Sequence, residues 1–259
     1  MTVGRDNGDV TREGARWEEI AKQDPMWAIL AFPDRKYGRW DDDQFFRTGA
    51  ERIEQFVAHG AALGRPVAHG AALDFGCGVG RLTRALTPHF DAVTGVDISE
   101  TMVAKASELN GDLDNCTFRR NDRGDLTLFA DRTFDFVVSD IVLQHLPDEV
   151  AVDGYLCEFV RVLRPGGLLV FQLPAALPLA HRFQPRRTAY LLLRRLGLSA
   201  RMLYWRLGLH PNRMLAMPES RVIRTLTSRG GNVVDVVAEQ SAGGLALQQN
   251  VYYVTVGES

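Results

Sequence analysis

Three glycines at alternate positions, Gly76, Gly78 and Gly80, are the residues of this sequence that point most directly to chemistry. Glycine is needed where a backbone takes a positive φ or lies flat against a ligand, because no Cβ stands in the way. Asp97 follows roughly twenty residues later, a spacing at which a carboxylate can accept hydrogen bonds from both hydroxyls of a ribose. The two features together predict a nucleoside-binding corner.

Two strand patterns and a helix pattern position these groups. The apolar run at residues 71–75 predicts a buried strand, and residues 82–86 predict the start of a helix. Residues 92–96 predict a second strand that ends at Asp97. Ser99 is the better N-cap for the next helix, which leaves the Asp97 carboxylate free for a ligand. Strand, glycine turn and helix form the ligand-binding corner of a doubly wound α/β sheet.

The dinucleotide fingerprint Gly-x-Gly-x-x-Gly is not met, because Arg81 stands where its third glycine would be. Over about residues 70 to 175 the sequence resembles the class I S-adenosylmethionine-dependent methyltransferases of the small-molecule type. The motifs that carry the resemblance are Leu73-Asp74-Phe75-Gly76-Cys77-Gly78-Val79-Gly80, Val96-Asp97, Asn121-Asp122, Phe134-Asp135-Phe136-Val137-Val138 and Leu163-Arg164-Pro165-Gly166-Gly167. A nicotinamide-dependent oxidoreductase and a protein that holds the cofactor without transferring methyl stay open as alternatives.

The resemblance implies an α/β fold: a Rossmann-like, doubly wound, seven-stranded sheet that is mostly parallel, with an antiparallel last strand. It implies S-adenosylmethionine as cofactor, S-adenosylhomocysteine as product, and no metal. The implied divisions are an N-terminal helical cap (1–65), a cofactor-binding core (66–175), a helical insertion after strand five (176–217), and a last helix with a C-terminal hairpin (218–259). The residues implied to contact the cofactor are Asp74, Gly76, Cys77, Gly78, Gly80, Arg81, Asp97, Ile98, Met102, Asn121, Asp122, Ser139, Asp140, Ile141, Tyr37, Arg39 and Trp40.

Two of these implied contacts have ordinary alternatives. In the resembling family, N-terminal helices close over the methionine end of the cofactor, which makes Tyr37, Arg39 and Trp40 candidates; they are also plausible helix-packing residues. An acid after the third strand accepts from the adenine amino group in the family, and Asp122 matches that position. The alternative for Asp122 is a turn residue within Asn-Asp-Arg-Gly-Asp.

His145 is the candidate general base for a hydroxyl acceptor. It follows the fourth strand, and an imidazole with a pKa near 6.5 suits proton transfer at neutral pH. His181, after the fifth strand, is the second choice, and a structural role for His145 stays open. O-methylation is expected, with N- or C-methylation as the alternative. The end of strand five, residues 172–174, carries no carboxylate, so a magnesium site is incomplete even with Asp140 as one ligand.

An arginine-rich stretch follows the core. Residues 159 to 218 contain ten arginines and no Asp or Glu. Removing those ten from the 30 basic residues leaves 20 against 32 acidic residues, so the formal net charge of the rest of the chain is near −12. Arg187, Arg194 and Arg201 recur at sevens, which predicts one helical face. Three roles compete for the insertion: a lid over a small-molecule acceptor, a homodimer contact, and a peripheral contact with a membrane or anionic lipid.

Composition narrows the class of protein. With 46% hydrophobic and 24% charged residues, the chain has the make-up of an ordinary globular protein. A net charge of −2 gives no bulk attraction to nucleic acid, and none is expected as a partner. Three widely spaced cysteines favour reduced thiols, and the first residues lack the apolar core of a signal peptide, so a cytoplasmic location is predicted.

Overall fold

A seven-stranded sheet forms the centre of the computed structural model, which describes residues 7–177, 184–211, 213–240 and 248–257. The strands are β1 (Ala71–Phe75), β2 (Ala92–Asp97), β3 (Cys116–Arg120), β4 (Phe134–Ser139), β5 (Leu163–Pro174), β6 (Gly231–Gln240) and β7 (Gln248–Val256). Their order is β3-β2-β1-β4-β5-β7-β6. The first five strands pair in parallel, whereas β7 pairs antiparallel with both β5 and β6. The predicted fold class is therefore confirmed.

Helices cover both faces of the sheet and extend from one end of it. They are α1 (Asn7–Ala21), α2 (Pro25–Ile29), α3 (Asp42–Ala62), α4 (Arg81–Leu86), α5 (Glu100–Leu109), α6 (Glu149–Val162), α7 (Pro185–Arg195), α8 (Ala200–Leu207) and α9 (Glu219–Thr227). Short side chains start several of them. The side chains of Asp24, Asp41, Ser99 and Asp148 each accept from a backbone N–H three residues on, which satisfies an otherwise unpaired donor. The predicted cap Ser99 is confirmed.

Two apolar cores sandwich the sheet. Because successive side chains of a strand point to opposite faces, Leu73 packs in one core with Phe159 of α6 and Tyr252 of β7. Its neighbour Ala72 packs in the other core with Phe56 of α3. This burial on both faces holds the carboxyl ends of β1, β2 and β4 at one edge of the sheet.

The helix α1 begins at Asn7 although the first residues of the chain are polar. β5 begins at Leu163 and accommodates residues 164–167 through a register shift opposite β4, with Gly166 at φ +79°. One sequence prediction differs from the structure. The arginine face spaced by sevens is wrong, because α7 ends at Arg195 and Gly197, at φ +89°, turns the chain before α8.

The described part of the insertion packs on the N-terminal helices. The Tyr204 hydroxyl donates to Asp24 (2.7 Å), and the Tyr190 hydroxyl donates to Glu19 (2.6 Å), which also pairs with Arg194 (2.8 Å). α8 thus rests on the segment that precedes α2, and α7 rests on α1.

Candidate active site

A cleft opens at the carboxyl ends of β1, β2 and β4, with α1 and α2 as its roof. It encloses about 1040 Å³ of space, including the part open to solvent. The residues that line it are Glu13, Trp17, Ala28, Ile29, Phe75, Gly76, Gly78, Val96, Asp97, Ile98, Met102, Asn121, Gly124, Asp140, Ile141, Val142, His145, Leu146, Pro147, Ala151 and Tyr155.

The glycine turn after β1 forms one wall of the cleft. Gly76, Gly78 and Gly80 all have positive φ, at +77°, +54° and +86°, a region that side chains disfavour. The surrounding side chains also leave no room for a Cβ atom. A Cβ on Gly78 would lie 2.4 Å from Cδ1 of Ile29, and a Cβ on Gly76 would lie 2.4 Å from Val142. The turn therefore requires glycine both for its conformation and for the approach of the roof and the loop after β4.

Asp97, at the end of β2, faces the same wall. One carboxylate oxygen accepts the backbone N–H of Gly78 at 3.0 Å, and the other accepts the N–H of Ser99 at 2.9 Å. Burial raises the pKa of this carboxyl above its ordinary value because the charged form loses its hydration. The backbone donors oppose that shift. Each oxygen retains a lone pair, so the group can accept further hydrogen bonds from a ligand in the cleft.

Asp140, after β4, is fixed by two arginines. Its Oδ1 accepts from Arg52 of α3 at 3.1 Å, and its Oδ2 accepts from the buried Arg81 at 3.3 Å. Arg52 also pairs with Glu239 of β6 at 2.8 Å. A buried carboxylate that is paired in this way is charge-balanced and held in one orientation, so Asp140 is suited to positioning a ligand.

Asp74 lies beneath the cleft. Its carboxylate accepts from the Thr83 hydroxyl at 2.7 Å, and burial raises its pKa to about 7. The side chain is almost fully buried and links the end of β1 to the first turn of α4. It therefore supports the glycine turn from below.

Ile141 turns the chain into the cleft with a φ of +63°. This left-handed conformation is a clear outlier for a β-branched residue. Its N–H donates to Oε1 of Gln172 at 3.1 Å, which holds the turn in place. Strain of this kind costs about 1–3 kcal/mol and is found where the surrounding structure enforces it, often at ligand sites.

His145 is oriented by hydrogen bonds on both ring nitrogens. Its Nδ1 bonds to the carbonyl oxygen of Arg213, and its Nε2 lies 3.3 Å from Nε2 of Gln144. Gln144 in turn accepts from Nε2 of Gln172 at 3.3 Å. Burial lowers the pKa of the imidazole, so the ring is neutral at pH 7. Since a carbonyl only accepts, Nδ1 carries the proton and Nε2 carries the lone pair.

The structure brings most of the sequence-predicted residues to the cleft, but it separates others. Gly76, Gly78, Asp97, Ile98, Met102, Asn121, Asp140, Ile141 and His145 line it. Asp74, Cys77, Gly80, Arg81 and Ser139 lie in the layer beneath, where burial raises the pKa of the Cys77 thiol well above its ordinary value. The Ser139 hydroxyl has no hydrogen-bond partner within the described ranges. Asp122 is exposed beside Arg120 at 3.6 Å, and His181 lies outside the described residues.

The aromatic and basic cluster of the N-terminal cap does not line the cleft. Tyr37 stacks on Trp205, with ring centroids 5.1 Å apart. Trp40 donates its indole N–H to the carbonyl of Leu30 at 3.2 Å, and Arg39 is exposed. Tyr37 therefore packs the cap against the insertion, whereas Trp40 packs within the cap.

The sequence analysis expected N-terminal helices over the cofactor but missed the residues of these helices that line the cleft. These are Glu13 and Trp17 of α1 and Ile29 of α2, and the Trp17 ring meets His145 edge-on at 5.4 Å. No motif indicates which side chains of an amphipathic helix meet a ligand. The described part of the insertion contributes no side chain to the lining.

The described ranges lack two other features, a metal-binding cluster and a membrane-spanning helix. No group of three or more His, Cys, Asp or Glu side chains there has the geometry of a metal site. No helix in the same ranges is long and apolar enough to cross a membrane.

Comparison with known proteins finds a family that is similar to the central part of the chain. Residues 73–171 match the pattern of a family described as methyltransferase domain. Demethylmenaquinone methyltransferase of Tropheryma whipplei (strain Twist) is 39% identical over 98 residues, which are 38% of this chain and 39% of that protein. The same enzyme of Staphylococcus aureus (strain MRSA252) is 36% identical over 102 residues, 38% of this chain and 41% of that protein. The match thus spans about two fifths of the length of these curated relatives.

Solved structures extend the likeness to most of the chain at the level of the fold. Magnesium protoporphyrin IX methyltransferase from Synechocystis PCC 6803 with bound SAH superposes with a TM-score of 0.62 at 20% identity, over 96% of this chain and 100% of that one. An S-adenosylmethionine-dependent methyltransferase from Clostridium acetobutylicum ATCC 824 gives 0.57 at 16% identity, over 87% and 96%. Residues 73–171 therefore match the model of a methyltransferase-domain family, and the fold of the chain is similar to that of solved S-adenosylmethionine-dependent methyltransferases, as predicted.

Proposed function

We propose that this protein transfers a methyl group from S-adenosylmethionine to a hydroxyl of a small, largely apolar molecule. One arrangement carries the proposal: the glycine turn, the Asp97 carboxylate and His145 all line a single cleft. The first two suit a nucleoside, and the third suits the removal of a proton from an acceptor beside it.

The residues of the cleft fit the cofactor. Asp97 has lone pairs left on both oxygens for the ribose hydroxyls. Ile98 and Met102 give an apolar surface for a base, and Asn121 lies at the same end. The bound cofactor would supply an activated methyl group on a sulfonium. Asp140, held by two arginines, stands on the far side of the glycine turn and would orient the methionine end.

His145 acts as the base in this proposal. Its Nδ1 proton is held by the Arg213 carbonyl, which leaves the Nε2 lone pair to accept the hydroxyl proton of the acceptor. The 3.3 Å contact with Gln144 is long, so an acceptor hydroxyl can replace it. A well-placed general base contributes roughly 10²–10⁴-fold to a rate. The Trp17 ring and the roof keep bulk water from the reacting atoms.

Apolar side chains near His145 define the acceptor. Trp17, Ile141, Leu146 and Ala151 line the cleft there, together with the ring of Tyr155. Apolar lining with a few polar groups is the usual make-up of a small-molecule site. The similar proteins, demethylmenaquinone methyltransferase and magnesium protoporphyrin IX methyltransferase, are by name also enzymes that transfer methyl to small molecules.

Calorimetry and product analysis test the proposal in two steps. Titration with S-adenosylmethionine, and with NADH as the control ligand, should show saturable binding of the first alone. Incubation with a panel of phenols and other apolar alcohols should then release S-adenosylhomocysteine and a methyl ether. Absence of binding would overturn the whole proposal. Binding with turnover only on amine or carbon acceptors would overturn the hydroxyl assignment alone.

A further inference from the structure

The outer face of α8 combines exposed cations and exposed apolar side chains. We define this face by Arg201, Met202, Trp205 and Arg206, which share one shallow depression with Ser199. The opposite face of the helix is buried through Leu203 and Tyr204, which dock on the N-terminal helices. Because docking uses one side of α8, the four defining side chains are directed away from the body of the protein.

Exposed apolar side chains concentrate around this face. In the described ranges, eight large hydrophobic residues are exposed, and five of them lie between residues 192 and 207. Leu196, in the turn between α7 and α8, is 75% exposed, and Trp205 is 41% exposed although one face of its ring stacks on Tyr37. Single exposed apolar residues are ordinary, but a local cluster marks a contact surface.

All charged side chains of α7 and α8 are positive, because they are arginines. No salt bridge is found for Arg195, Arg201 or Arg206 in the described part of the chain, and the segment from 159 to 218 contains no acidic residue. The rest of the chain is acidic in balance. The positive charge on α8 is therefore not matched by the protein itself and is available for an external anion.

We propose that the outer face of α8 docks the protein on an anionic lipid surface. A basic amphipathic helix with Trp and other apolar side chains lies in the headgroup region, where cations meet phosphates and apolar groups reach the acyl chains. The charged groups of this face are all positive, and an anionic lipid surface offers a continuous layer of negative phosphates to match them. The acyl region beneath that layer accepts the exposed Met202 and Trp205 side chains, so lipid complements both the charge and the apolar groups of this face.

Docking in this orientation has a geometric consequence for the cleft. α7 and α8 rest on α1 and α2 through Glu19 and Asp24, and α1 and α2 roof the cleft. The lipid surface would thus lie on the roof side of the protein. The proposal goes beyond the methyl-transfer activity and does not depend on it.

Vesicle co-sedimentation of the full chain tests the proposal without cofactor or acceptor. Vesicles of phosphatidylcholine alone are compared with vesicles that also contain phosphatidylglycerol, at low and high salt. The protein should sediment with the mixed vesicles at low salt and be released by high salt. Each arginine near such a surface contributes about 1 kcal/mol, so R201E/R206E should lower the partition constant by about tenfold or more. The apolar variant M202S should lower it by a smaller factor.

Matched controls separate this face from general effects. Arg119→Glu reverses an exposed charge on the edge strand β3. Val67→Ser removes an exposed apolar side chain that precedes β1, near Gly166 of β5. Both variants should bind vesicles like the wild type. Thermal unfolding shows whether each variant is folded. No sedimentation of the wild type, or equal losses in R119E and R201E/R206E, would overturn the proposal. Two further results would overturn the proposal if the mixed vesicles bind no protein. A change of oligomeric state in R201E/R206E would point to a second copy of this chain as the partner. Binding to polyglutamate that depends on Arg201 would point to an acidic protein.

Discussion

The backbone N–H of Gly78 donates to the Asp97 carboxylate across 3.0 Å. This bond joins the turn after β1 to the end of β2, so the two ligand-binding features of the sequence are one structural unit. It also means that Asp97 has two duties, because the same carboxylate holds the turn and faces the cleft.

Asp97→Ala should weaken the binding of S-adenosylmethionine by at least about tenfold, a loss of about 1.4 kcal/mol. The variant removes both the ribose acceptor and the partner of the Gly78 N–H. Calorimetric titration measures the change. Asp112→Ala is the control, since Asp112 is an exposed carboxylate paired only with Arg84 in the described ranges; its affinity should match the wild type. An unchanged affinity in the Asp97 variant would contradict the nucleoside site.

Gly78→Ala should abolish cofactor binding and destabilise the fold. An alanine there would carry a φ of +54° and a Cβ 2.4 Å from Ile29. Gly64→Ala is the matched control, because Gly64 has a φ of +69° but no atom within 4 Å of the added Cβ. The control should lose only the conformational term of about 1–2 kcal/mol and keep its affinity for the cofactor. Urea unfolding and calorimetry report the two effects. Equal behaviour of the two variants would show that the approach of Ile29 does not matter.

His145→Ala should reduce turnover on a hydroxyl acceptor by roughly 10²–10⁴-fold and leave cofactor affinity nearly unchanged. His69→Ala is the control and should retain full turnover, because His69 precedes β1 and thus lies at the end of this strand away from the cleft. Burial lowers the pKa of His145, so its neutral form survives to lower pH than a free imidazole. The acidic limb of the wild-type kcat/KM profile should therefore lie below pH 6.5. A limb above that value, or full turnover in the Ala variant, would make His145 a structural residue.

Asp74→Asn should become more stable relative to the wild type as pH rises. Burial raises the pKa of Asp74 to about 7 from 3.8, so the folded state binds the proton more tightly than the unfolded state does. The wild type therefore loses stability as pH rises from about 4 to about 7, and the loss is complete above that range. Asparagine has no proton to lose. Urea unfolding without cofactor should show the difference growing across this interval and constant on either side; a flat or falling difference would contradict the raised pKa.

Tyr204→Phe should loosen α8 selectively. The variant removes the 2.7 Å bond to the Asp24 carboxylate, and hydrogen bonds to charged groups contribute about 1.5–3 kcal/mol. Amide hydrogen exchange should be faster in α8 and in the segment around Tyr37 than in the sheet. Tyr155→Phe is the control, because it removes a similar hydroxyl bond, to the Arg123 carbonyl, elsewhere in the fold. Faster exchange in α8 in both variants would show that the effect is global.

The sequence predicted the parts of the site that depend on local spacing. The positive φ values of the three glycines and the Ser99 cap follow from residue type and distance along the chain, and all are found. The Asp140 network was out of reach, because Arg52 lies 88 residues away and meets Asp140 only through packing of α3 on α4. The residues of α1 that line the cleft were missed for another reason. Gly8 and Gly14 weaken helix propensity in the first residues, yet α1 forms there because it packs over α5, with Gly14 close to Ile98.

Asp24 links the roof of the cleft to the insertion through hydrogen bonds. Its carboxylate, buried almost completely, accepts from the backbone N–H groups of Trp27, Tyr37 and Gly38 and from the Tyr204 hydroxyl. If α8 moved away alone, Asp24 would lose the Tyr204 hydroxyl, one of these four donors, at a cost of about 1.5–3 kcal/mol for a hydrogen bond to a charged group. Motion of the insertion should consequently be coupled to motion of the roof, and the exchange of product for fresh ligand should depend on both.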